Sequence, residues 1–277
     1  MILDSNTLCA HQADDLLYYT FPSFDAIDGV RHGFSTRLGG VSVDRFASMN
    51  LSFTRGDDHD AVTENFRRFC AAIGTRAEDV VISAQTHTTN VYNVTAADRG
   101  RGITRDRGYT DVDGLITDEP NLVLCTQYAD CVPLFFVDPV RRVVATSHAG
   151  WRGTVGGIGR LTVDRMVSDY GCNRDDIICG IGPSIGVCCF EVDEPVYAEF
   201  CKIPQFDSGC YTDDGNGKFH IDLWEVNRRI LMDAGVSADH ITVTDLCTRC
   251  HPEVLWSHRA CGNDRGSLAA FISLSGE

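Results

Sequence analysis

Segments with helical periodicity alternate with short β-branched or apolar runs along most of this chain, and this alternation limits the folds it can adopt. Residues 60–73 carry apolar side chains at three- and four-residue spacing, which predicts an amphipathic helix. Helices are also predicted over 154–170 and 222–234, the latter opening with Asp222 and Glu225 in a capping-box pattern. The chain therefore contains helices that each need an apolar surface to pack against.

The runs between these helices predict strands that supply such a surface. They are residues 80–83, 91–94, 114–117, 122–126, 132–137, 143–146, 177–181, 241–244 and 268–273, with a further short helix at 196–201. Two polar, glycine-containing stretches, 98–110 and 207–218, are predicted to be surface loops. Mixed strands with interspersed helices predict an α+β (mixed α/β) fold, a layered sandwich of mixed β-sheets flanked by helices. We expect residues 1–277 to form a single domain.

The charge balance excludes some classes of partner. Acidic residues outnumber basic ones by 39 to 24, which gives a formal net charge of −15. Nonspecific binding to nucleic acid or to an anionic membrane needs clustered Lys and Arg, so neither partner is predicted. No apolar run approaches the roughly 18 residues of a membrane span. The charge indicates solubility and carries no indication of the oligomeric state.

The thirteen cysteines must be interpreted through the redox compartment. Residues 1–15 have no basic n-region, so no signal peptide is predicted and a cytoplasmic location is expected. Thiols there are free, buried or metal-binding, and most of these are expected to be buried. Cys247, Cys250 and His251 spell the haem-attachment pattern, but that chemistry requires export. The adjacent pair Cys188-Cys189 lacks the spacing of a second zinc half-site, so the stretch stays unassigned.

Three side chains beside apolar runs could carry chemistry. His87 follows the strand predicted at 80–83, Cys131 lies between two apolar strands, and His148 ends the strand predicted at 143–146. Two imidazoles and one thiolate can form a three-ligand zinc site with an open fourth position, which is the arrangement of catalytic zinc. The alternatives are hydrogen-bonded histidines with a buried thiol, or a Cys–His nucleophile pair formed by Cys131 and His148.

Two arginines are candidates for binding an anion. Arg37 in F-S-T-R-L-G-G and Arg259 in W-S-H-R both follow small polar residues near strand-like segments. Guanidinium is the preferred partner of phosphate because its donors match two oxygens at once. The alternative is that each is an exposed arginine without a role.

A series of motifs runs in order through nearly the whole chain. They are H-G-F-S-T-R-L-G-G-V-S from His32, Q-T-H from Gln85, D-V-D-G-L-I-T from Asp111, Y-A-D-C-V-P from Tyr128, H-A-G-W-R-G from His148, G-I-G-P-S-I-G-V-C-C-F-E-V from Gly180, D-L-C-T from Asp245 and S-H-R from Ser257. On these motifs the chain resembles the laccase-domain family, also called multicopper polyphenol oxidase-like proteins. Members of that family resemble zinc-dependent purine nucleoside phosphorylases.

The resemblance implies a site and a cofactor. Its three zinc ligands fall on His87, Cys131 and His148, and Arg37 is implied to help hold phosphate or ribose. The implied partners are a purine nucleoside and phosphate, and the implied cofactor is Zn²⁺, with copper as the alternative. Three residues lie in matching motifs without an assigned role: Asn50 in a further motif, M-N-L from Met49, Glu191 in the motif from Gly180, and Arg259 in S-H-R.

The resemblance also implies an activity. It is the zinc-dependent phosphorolysis of adenosine, inosine, guanosine or S-methyl-5'-thioadenosine to free base and (methylthio)ribose 1-phosphate, with adenosine deamination as a second activity. A copper-dependent polyphenol oxidase (laccase) is one alternative, but it needs a histidine-rich copper cluster and the sequence contains no H-x-H pair. A second is a cysteine hydrolase or peptidoglycan editing factor that uses Cys131. A third is a binding module without activity, which would have no need of an open zinc position.

Overall fold

The computed structural model describes residues 2–276, which form fifteen strands and seven α-helices. The strands are β1 Cys9–Ala13, β2 Leu16–Thr20, β3 Val30–Ser35, β4 Val80–Ile82, β5 Val91–Asn93, β6 Gly114–Thr117, β7 Val123–Tyr128, β8 Val132–Asp138, β9 Val143–Ala149, β10 Ile178–Ile181, β11 Glu191–Asp193, β12 Tyr211–Gly215, β13 Lys218–Ile221, β14 Ile241–Val243 and β15 Leu268–Leu274. The helices are α1 Pro22–Asp25, α2 His59–Ala72, α3 Trp151–Val155, α4 Ile158–Tyr170, α5 Glu194–Phe200, α6 Leu223–Asp233 and α7 His258–Cys261.

Two six-stranded sheets make up the centre of the molecule. The first has the order β1-β2-β3-β15-β7-β4 and the second the order β14-β10-β8-β9-β6-β5. The pairs β4–β7, β5–β6 and β10–β14 are parallel, and the other neighbouring strands are antiparallel, so both sheets are mixed. A three-stranded sheet of β11-β13-β12 adds a smaller layer. The predicted α+β class with mixed sheets is confirmed.

The two large sheets pack face to face and helices cover their outer faces. Along β8, Phe135 and Val137 face the first sheet, whereas Leu134 and Phe136 pack with residues of α4 and α6. The outer face of the first sheet is covered by α2, which contributes Phe66 among others. Both faces of β7 and β8 are therefore buried, which explains why these strands have continuous apolar sequences.

Helix ends follow the sequence, with one exception. The carboxylate of Asp58 caps α2 by accepting from the Ala61 amide at 2.8 Å, and Asp222 caps α6 in the same way. The single helix predicted over 154–170 is wrong. It is divided into α3 and α4, because Gly157 adopts a left-handed conformation (φ +73°) that interrupts the helical backbone. Leu161, an apolar residue of the predicted helical pattern, is exposed on α4.

Other differences lie in the strands. The region 207–218, predicted as a loop, contains β12 and the turn that leads into β13. Strands β1, β2 and β3 were not predicted. Strand β1, C-A-H-Q-A, lies at the edge of the sheet and none of its side chains is fully buried, so the strand lacks a buried alternating pattern. Among residues 2–276 the structure has no helix of the length and apolarity needed to span a bilayer.

Candidate metal centre

His87, Cys131 and His148 come together where the two large sheets meet. His87 lies in the loop between β4 and β5, and Cys131 in the connection through which the chain passes from β7 in the first sheet to β8 in the second. His148 is the penultimate residue of β9, which continues to Ala149, and it pairs opposite Pro133, so it lies near the end of a strand that is three residues longer than predicted. The longer pairing with β8 extends the strand beyond what its apolar residues indicate.

The three side chains present one sulfur and two ring nitrogens to a common point. Their ligand atoms all lie within 4.8 Å of one another. Cys131 Sγ is 3.9 Å from His87 Nε2, and the two imidazole rings have centroids 4.9 Å apart. This donor set and spacing match what a single tetrahedral ion requires, with one position left for a further ligand.

Gly150 leaves the room that an ion would need. A Cβ atom at this position would lie 2.9 Å from His87 Cδ2 and 3.0 Å from Cys131 Sγ. Its backbone angles (φ −60°, ψ 169°) are open to any residue, so the backbone conformation does not require glycine here. The space beside the three donors therefore depends on the missing side chain, and the residues present fit a bound zinc ion.

Asp113 fixes both histidines. Its buried carboxylate lies 2.8 Å from His148 Nδ1 and accepts hydrogen bonds from the backbone amides of Thr86, His87 and Thr88 at 2.9, 3.1 and 3.0 Å. The bond to Nδ1 leaves His148 Nε2 free to face Cys131. A carboxylate that orients an imidazole in this way is typical of metal-binding histidines.

The charges in this cluster stabilise one another. Burial alone would raise the pKa of Asp113, but hydrogen bonds from His148 and from the loop amides lower it to about 2. Burial would lower the pKa of His148, but Cys131 and Asp113 outweigh it and raise that pKa. For the Cys131 thiol burial opposes ionisation, whereas His148 and His87 lower its pKa. The thiol is thereby favoured as a thiolate, the form that binds metals and acts as a nucleophile.

Two residues of the site, His87 and the residue before Cys131, have unusual backbone φ angles. His87 has φ +64° and Asp130 has φ +87°, left-handed conformations that side-chain-bearing residues rarely adopt. The loop amides bonded to Asp113 hold the first of these in place. Such conformations concentrate at functional sites, where the surrounding structure fixes them.

Asp113 was not among the residues selected from the sequence. Its signal was present, because Asp113 lies in the motif D-V-D-G-L-I-T directly before the apolar strand β6. A carboxylate at the edge of a buried strand needs a hydrogen-bond donor, and a histidine side chain is one candidate donor. Nothing in the sequence indicated which histidine it would meet.

The candidate centre opens into a pocket that contains three arginines. The pocket is lined by Ser52, Thr54, Arg55, Gln85, His87, Arg107, Gln127, Tyr128, Ala129, Cys131, His148, His258, Asn263, Arg265 and Ser267. Arg265 is buried; its Nη1 donates to the Gly266 carbonyl at 2.9 Å, while its Nε has no hydrogen-bond partner. Burial, together with the neighbouring charge of Arg55, lowers the pKa of Arg265 to about 10. The guanidinium therefore remains charged at neutral pH and has a donor to spare.

The implied contact of Arg37 with phosphate or ribose stays a prediction. Arg37 does not line this pocket. Its guanidinium donates to the carbonyls of Ala47 and Pro252 at 3.0 and 2.6 Å and lies 3.7 Å from the centre of the Trp256 ring. Three of the five guanidinium N–H donors are used in this way, so Arg37 joins the loop at Ala47 to the segment before α7.

A second, more apolar pocket lies on the other side of Cys131. It is lined by Ala129, Asp130, Cys131, Trp151, Ile185, Phe190, Leu223, His258 and Arg259. Arg259 donates from its backbone amide to Asp130 at 2.6 Å and from its side chain to the carbonyls of Cys189 and Glu191. The side chain of Glu191 itself is exposed and pairs with Lys218 at 3.5 Å.

Asn50 has a structural position near the first pocket. Its buried side chain accepts from the amides of Ser52 and Ser267 at 3.1 and 2.9 Å and donates to Asp57 at 2.9 Å. Ser52 and Ser267 both line the pocket that contains the arginines. Asn50 therefore supports two segments of the pocket wall.

The fold and the site together define a class of protein. Its members have two packed mixed sheets in an α+β fold, with two histidines and one cysteine placed to bind a single metal ion where the sheets meet. The family model "Multi-copper polyphenol oxidoreductase laccase" matches residues 31–275, and the chain belongs to this metal-associated family.

Relatives and solved structures agree with this assignment. Purine nucleoside phosphorylase YlmD of Bacillus subtilis (strain 168) is 37% identical over 243 residues, covering 87% of each chain. Adenosine deaminase RL5, from an unknown prokaryotic organism, is 34% identical over 87% of this chain and 92% of its own. The crystal structure of Bacillus licheniformis hypothetical protein YfiH superposes with a TM-score of 0.90 at 36% identity, covering 96% of this chain and 99% of that one.

Proposed function

We propose that this protein is a purine nucleoside phosphorylase, which cleaves the N-glycosidic bond with phosphate to give free base and ribose 1-phosphate. The observation that carries the proposal is the position of the His87, Cys131 and His148 cluster, which opens directly into a pocket with three arginines. A relative at 37% identity over most of the chain bears the same name.

His87, Cys131 and His148 are the proposed ligands of one Zn²⁺ ion. Two imidazoles and a thiolate are ligands that zinc accepts, and three protein ligands are typical of catalytic sites. When bound, zinc supplies Lewis-acid stabilisation of a phosphoryl oxygen or acidification of a water molecule. Among the described residues this is the one candidate cluster with two histidines, which disfavours the histidine-rich centre of a copper oxidase.

The pocket arginines are the proposed phosphate ligands, in place of Arg37. Arg55, Arg107 and Arg265 line the pocket beside the three proposed metal ligands. The unpartnered Nε of the buried Arg265 gains a partner when an anion enters. Guanidinium groups in a partly buried pocket stabilise the negative charge of phosphate and orient it towards the sugar.

The apolar pocket is the proposed position of the purine. Trp151 and Phe190 supply aromatic surfaces there, and Cys131 lies between this pocket and the basic one. A nucleoside that extends across Cys131 would have its base against aromatic side chains and its sugar beside the phosphate. The glycosidic bond would then lie next to the three proposed ligands, where bound reactants are held in register.

A product assay tests the proposal. Purified protein is incubated with adenosine or inosine, with and without phosphate and a zinc chelator, and the products are separated by liquid chromatography. We expect adenine or hypoxanthine only when phosphate is present, and loss of both after chelation. Base released equally without phosphate would contradict phosphorolysis, and turnover that resists chelation but stops on alkylation of Cys131 would indicate a thiol hydrolase.

One variant pair makes the assay specific. His148→Ala should lose activity and zinc while its circular dichroism stays native, whereas His59→Ala, at an exposed position in the first turn of α2, should keep both. Wild-type turnover in His148→Ala would contradict the proposed site. The similarity to a protein named adenosine deaminase supports deamination as a second activity, and inosine formed from adenosine in the same chromatograms would reveal it.

The proposed setting is the cytoplasm, with residues 1–277 working as one domain. All thirteen cysteines are free, a state that a reducing compartment maintains. The three proposed ligands come from both large sheets, so neither sheet would form the site alone.

A further inference from the structure

Four cysteines form a second cluster outside both pockets. Cys188 and Cys189 lie in the segment between β10 and β11, and Cys247 and Cys250 lie in the segment after β14. The fold brings the two segments together through a bridge between Ser184 and Cys247. The sequence spacing had excluded a shared zinc site, and this interpretation is corrected because all four Sγ atoms lie within 4.8 Å of one another.

The sulfur–sulfur distances match those around one ion. A zinc ion with four thiolates at about 2.3 Å separates its sulfurs by about 3.8 Å along each edge of the tetrahedron. Cys250 Sγ lies 3.6 Å from Cys188 Sγ and 3.5 Å from Cys189 Sγ. A cluster of several irons would hold sulfurs further apart, because the four thiolates of a [4Fe–4S] cluster bind four different irons and those of a [2Fe–2S] cluster bind two irons in pairs.

We propose that Cys188, Cys189, Cys247 and Cys250 bind one structural zinc ion. Four thiolates close the coordination sphere and leave no position for a substrate, which is the pattern of structural zinc. This site is separate from the three-ligand centre and does not depend on the function proposed for it.

The surroundings of the sulfurs suit thiolates. The Gly186 amide donates to Cys247 Sγ at 3.2 Å, and the Arg249 guanidinium donates to Cys189 Sγ at 3.8 Å. Four thiolates around a divalent ion leave a net charge of −2, and N–H donors and a nearby cation offset it. Around four neutral thiols there would be no negative charge for these donors to stabilise.

The zinc would fix the segments that hold Asp130 beside Cys131. Thr248, which lies between two of the cysteines, donates its hydroxyl to Asp130 Oδ1 at 2.6 Å. The Ile185 amide donates to the Asp130 carbonyl at 2.9 Å. Both segments joined by the cysteines therefore contact the residue directly before Cys131, and the site would restrain that turn.

Zinc stoichiometry tests the proposal independently of activity. Protein purified from zinc-supplemented cells under reducing conditions is analysed by plasma mass spectrometry. We expect two zinc ions per wild-type chain, one in Cys250→Ser, one in His148→Ala, and none in the double variant. Cys201→Ser, which removes an exposed cysteine outside the cluster, should keep both. If the wild type holds a single zinc ion and His148→Ala holds none, the four-cysteine site is overturned and the three-ligand site is not. If the wild type holds a single zinc ion that is lost only in Cys250→Ser, the three-ligand site is overturned and the four-cysteine site is not.

Cobalt spectroscopy provides a second readout. Co²⁺ bound by four thiolates gives an intense sulfur-to-metal charge-transfer band and strong visible bands. We expect these bands in Co²⁺-loaded wild type and in His148→Ala. If Cys250→Ser fails to fold, maleimide labelling of the wild type replaces it, with the four cysteines reacting only after chelation. Absent tetrathiolate bands, iron in place of zinc, or a disulfide within the cluster by mass spectrometry would overturn the proposal.

Discussion

Asp113 Oδ1 lies 2.8 Å from His148 Nδ1, and the same carboxylate accepts hydrogen bonds from the backbone amides of the loop that carries His87. One buried acid therefore orients one proposed ligand through its ring and positions the other through its backbone. The distance between the two imidazoles depends on a residue that touches neither the proposed ion nor the pocket.

Replacing this acid should weaken zinc binding. In Asp113→Asn the amide keeps the size of the carboxylate but loses its charge and one acceptor, so we expect zinc affinity to fall about 10- to 100-fold. Competition titration with a chromophoric chelator measures the change. Asp111→Asn is the matched control, because Asp111 is exposed and bonds only to the Thr86 hydroxyl. Equal zinc affinity in Asp113→Asn and wild type would contradict this positioning role.

A side chain at Gly150 should block the three-ligand centre. The added Cβ of Gly150→Ala would lie 2.9 Å from His87 Cδ2 and 3.0 Å from Cys131 Sγ, so we expect zinc to be lost there and activity with it. The backbone angles suit alanine, so the cost to the metal-free protein is the close contact with these two side chains, about 1–3 kcal/mol, and the protein should stay folded. Metal analysis and thermal unfolding check both points. Gly157→Asn is the control, since no atom lies within 4 Å of its Cβ position and asparagine tolerates left-handed angles.

Two arginine variants test whether phosphate binds in the pocket with three arginines or at Arg37, the residue implied by the sequence resemblance. Arg265→Met should raise KM for phosphate about 10- to 100-fold, the loss expected when one charge-assisted hydrogen bond is removed. Arg37→Met should leave that KM unchanged and lower the melting temperature, because it removes the stacking on Trp256 and two carbonyl contacts. Initial rates at varied phosphate measure both. The opposite pattern would return phosphate binding to Arg37.

Buried His32 should make stability fall in mild acid. Its Nε2 accepts a hydrogen bond from the Phe21 amide at 2.7 Å, and burial, with a smaller contribution from His11, lowers its pKa to about 3. The unfolded chain has a histidine pKa of about 6.5, so between these values the unfolded state binds the extra proton. This contribution is fully present above pH 6.5 and is lost as the pH falls.

The expected slope for His32 is about 1.4 kcal/mol of unfolding free energy per pH unit between pH 6.5 and 3. Denaturant unfolding of metal-free protein at pH 7, 6 and 5 measures it against His32→Gln, whose amide accepts the same hydrogen bond without titrating. The stability advantage of the wild type should shrink at each step. A pH-independent difference would show that His32 does not carry the effect.

Local patterns determined much of the fold in advance. The helix over 60–73 and the strands around 114–117 and 132–137 were expected within one or two residues, because each has a buried apolar face that shows in the sequence. The edge strand β1 was missed because it buries little. Strand β9 runs three residues beyond the predicted 143–146, since its extent depends on pairing with β8 rather than on its own residues.

The candidate site was predicted less completely than the fold. His87, Cys131 and His148 were selected from their positions beside apolar runs, and the structure brings them together. The engagement of Arg37 was beyond reach, because the groups that occupy it, at Pro252 and Trp256, are more than two hundred positions away in the chain. The stretch that contains Cys250 stayed unassigned because only tertiary contact brings it to Cys188 and Cys189, which lie 62 and 61 positions earlier in the chain.

The turn at Cys131 joins one large sheet to the other, His87 lies in a loop that also passes from the first sheet to the second, and His148 lies in the second sheet. If His87, Cys131 and His148 bind one ion, neither sheet can open by itself without releasing that ion. Amide hydrogen exchange in β4 and β7 of the first sheet and β8 and β9 of the second should then slow together when zinc is added. The two halves of the sandwich would open as one cooperative unit in the loaded protein and as two in the metal-free one.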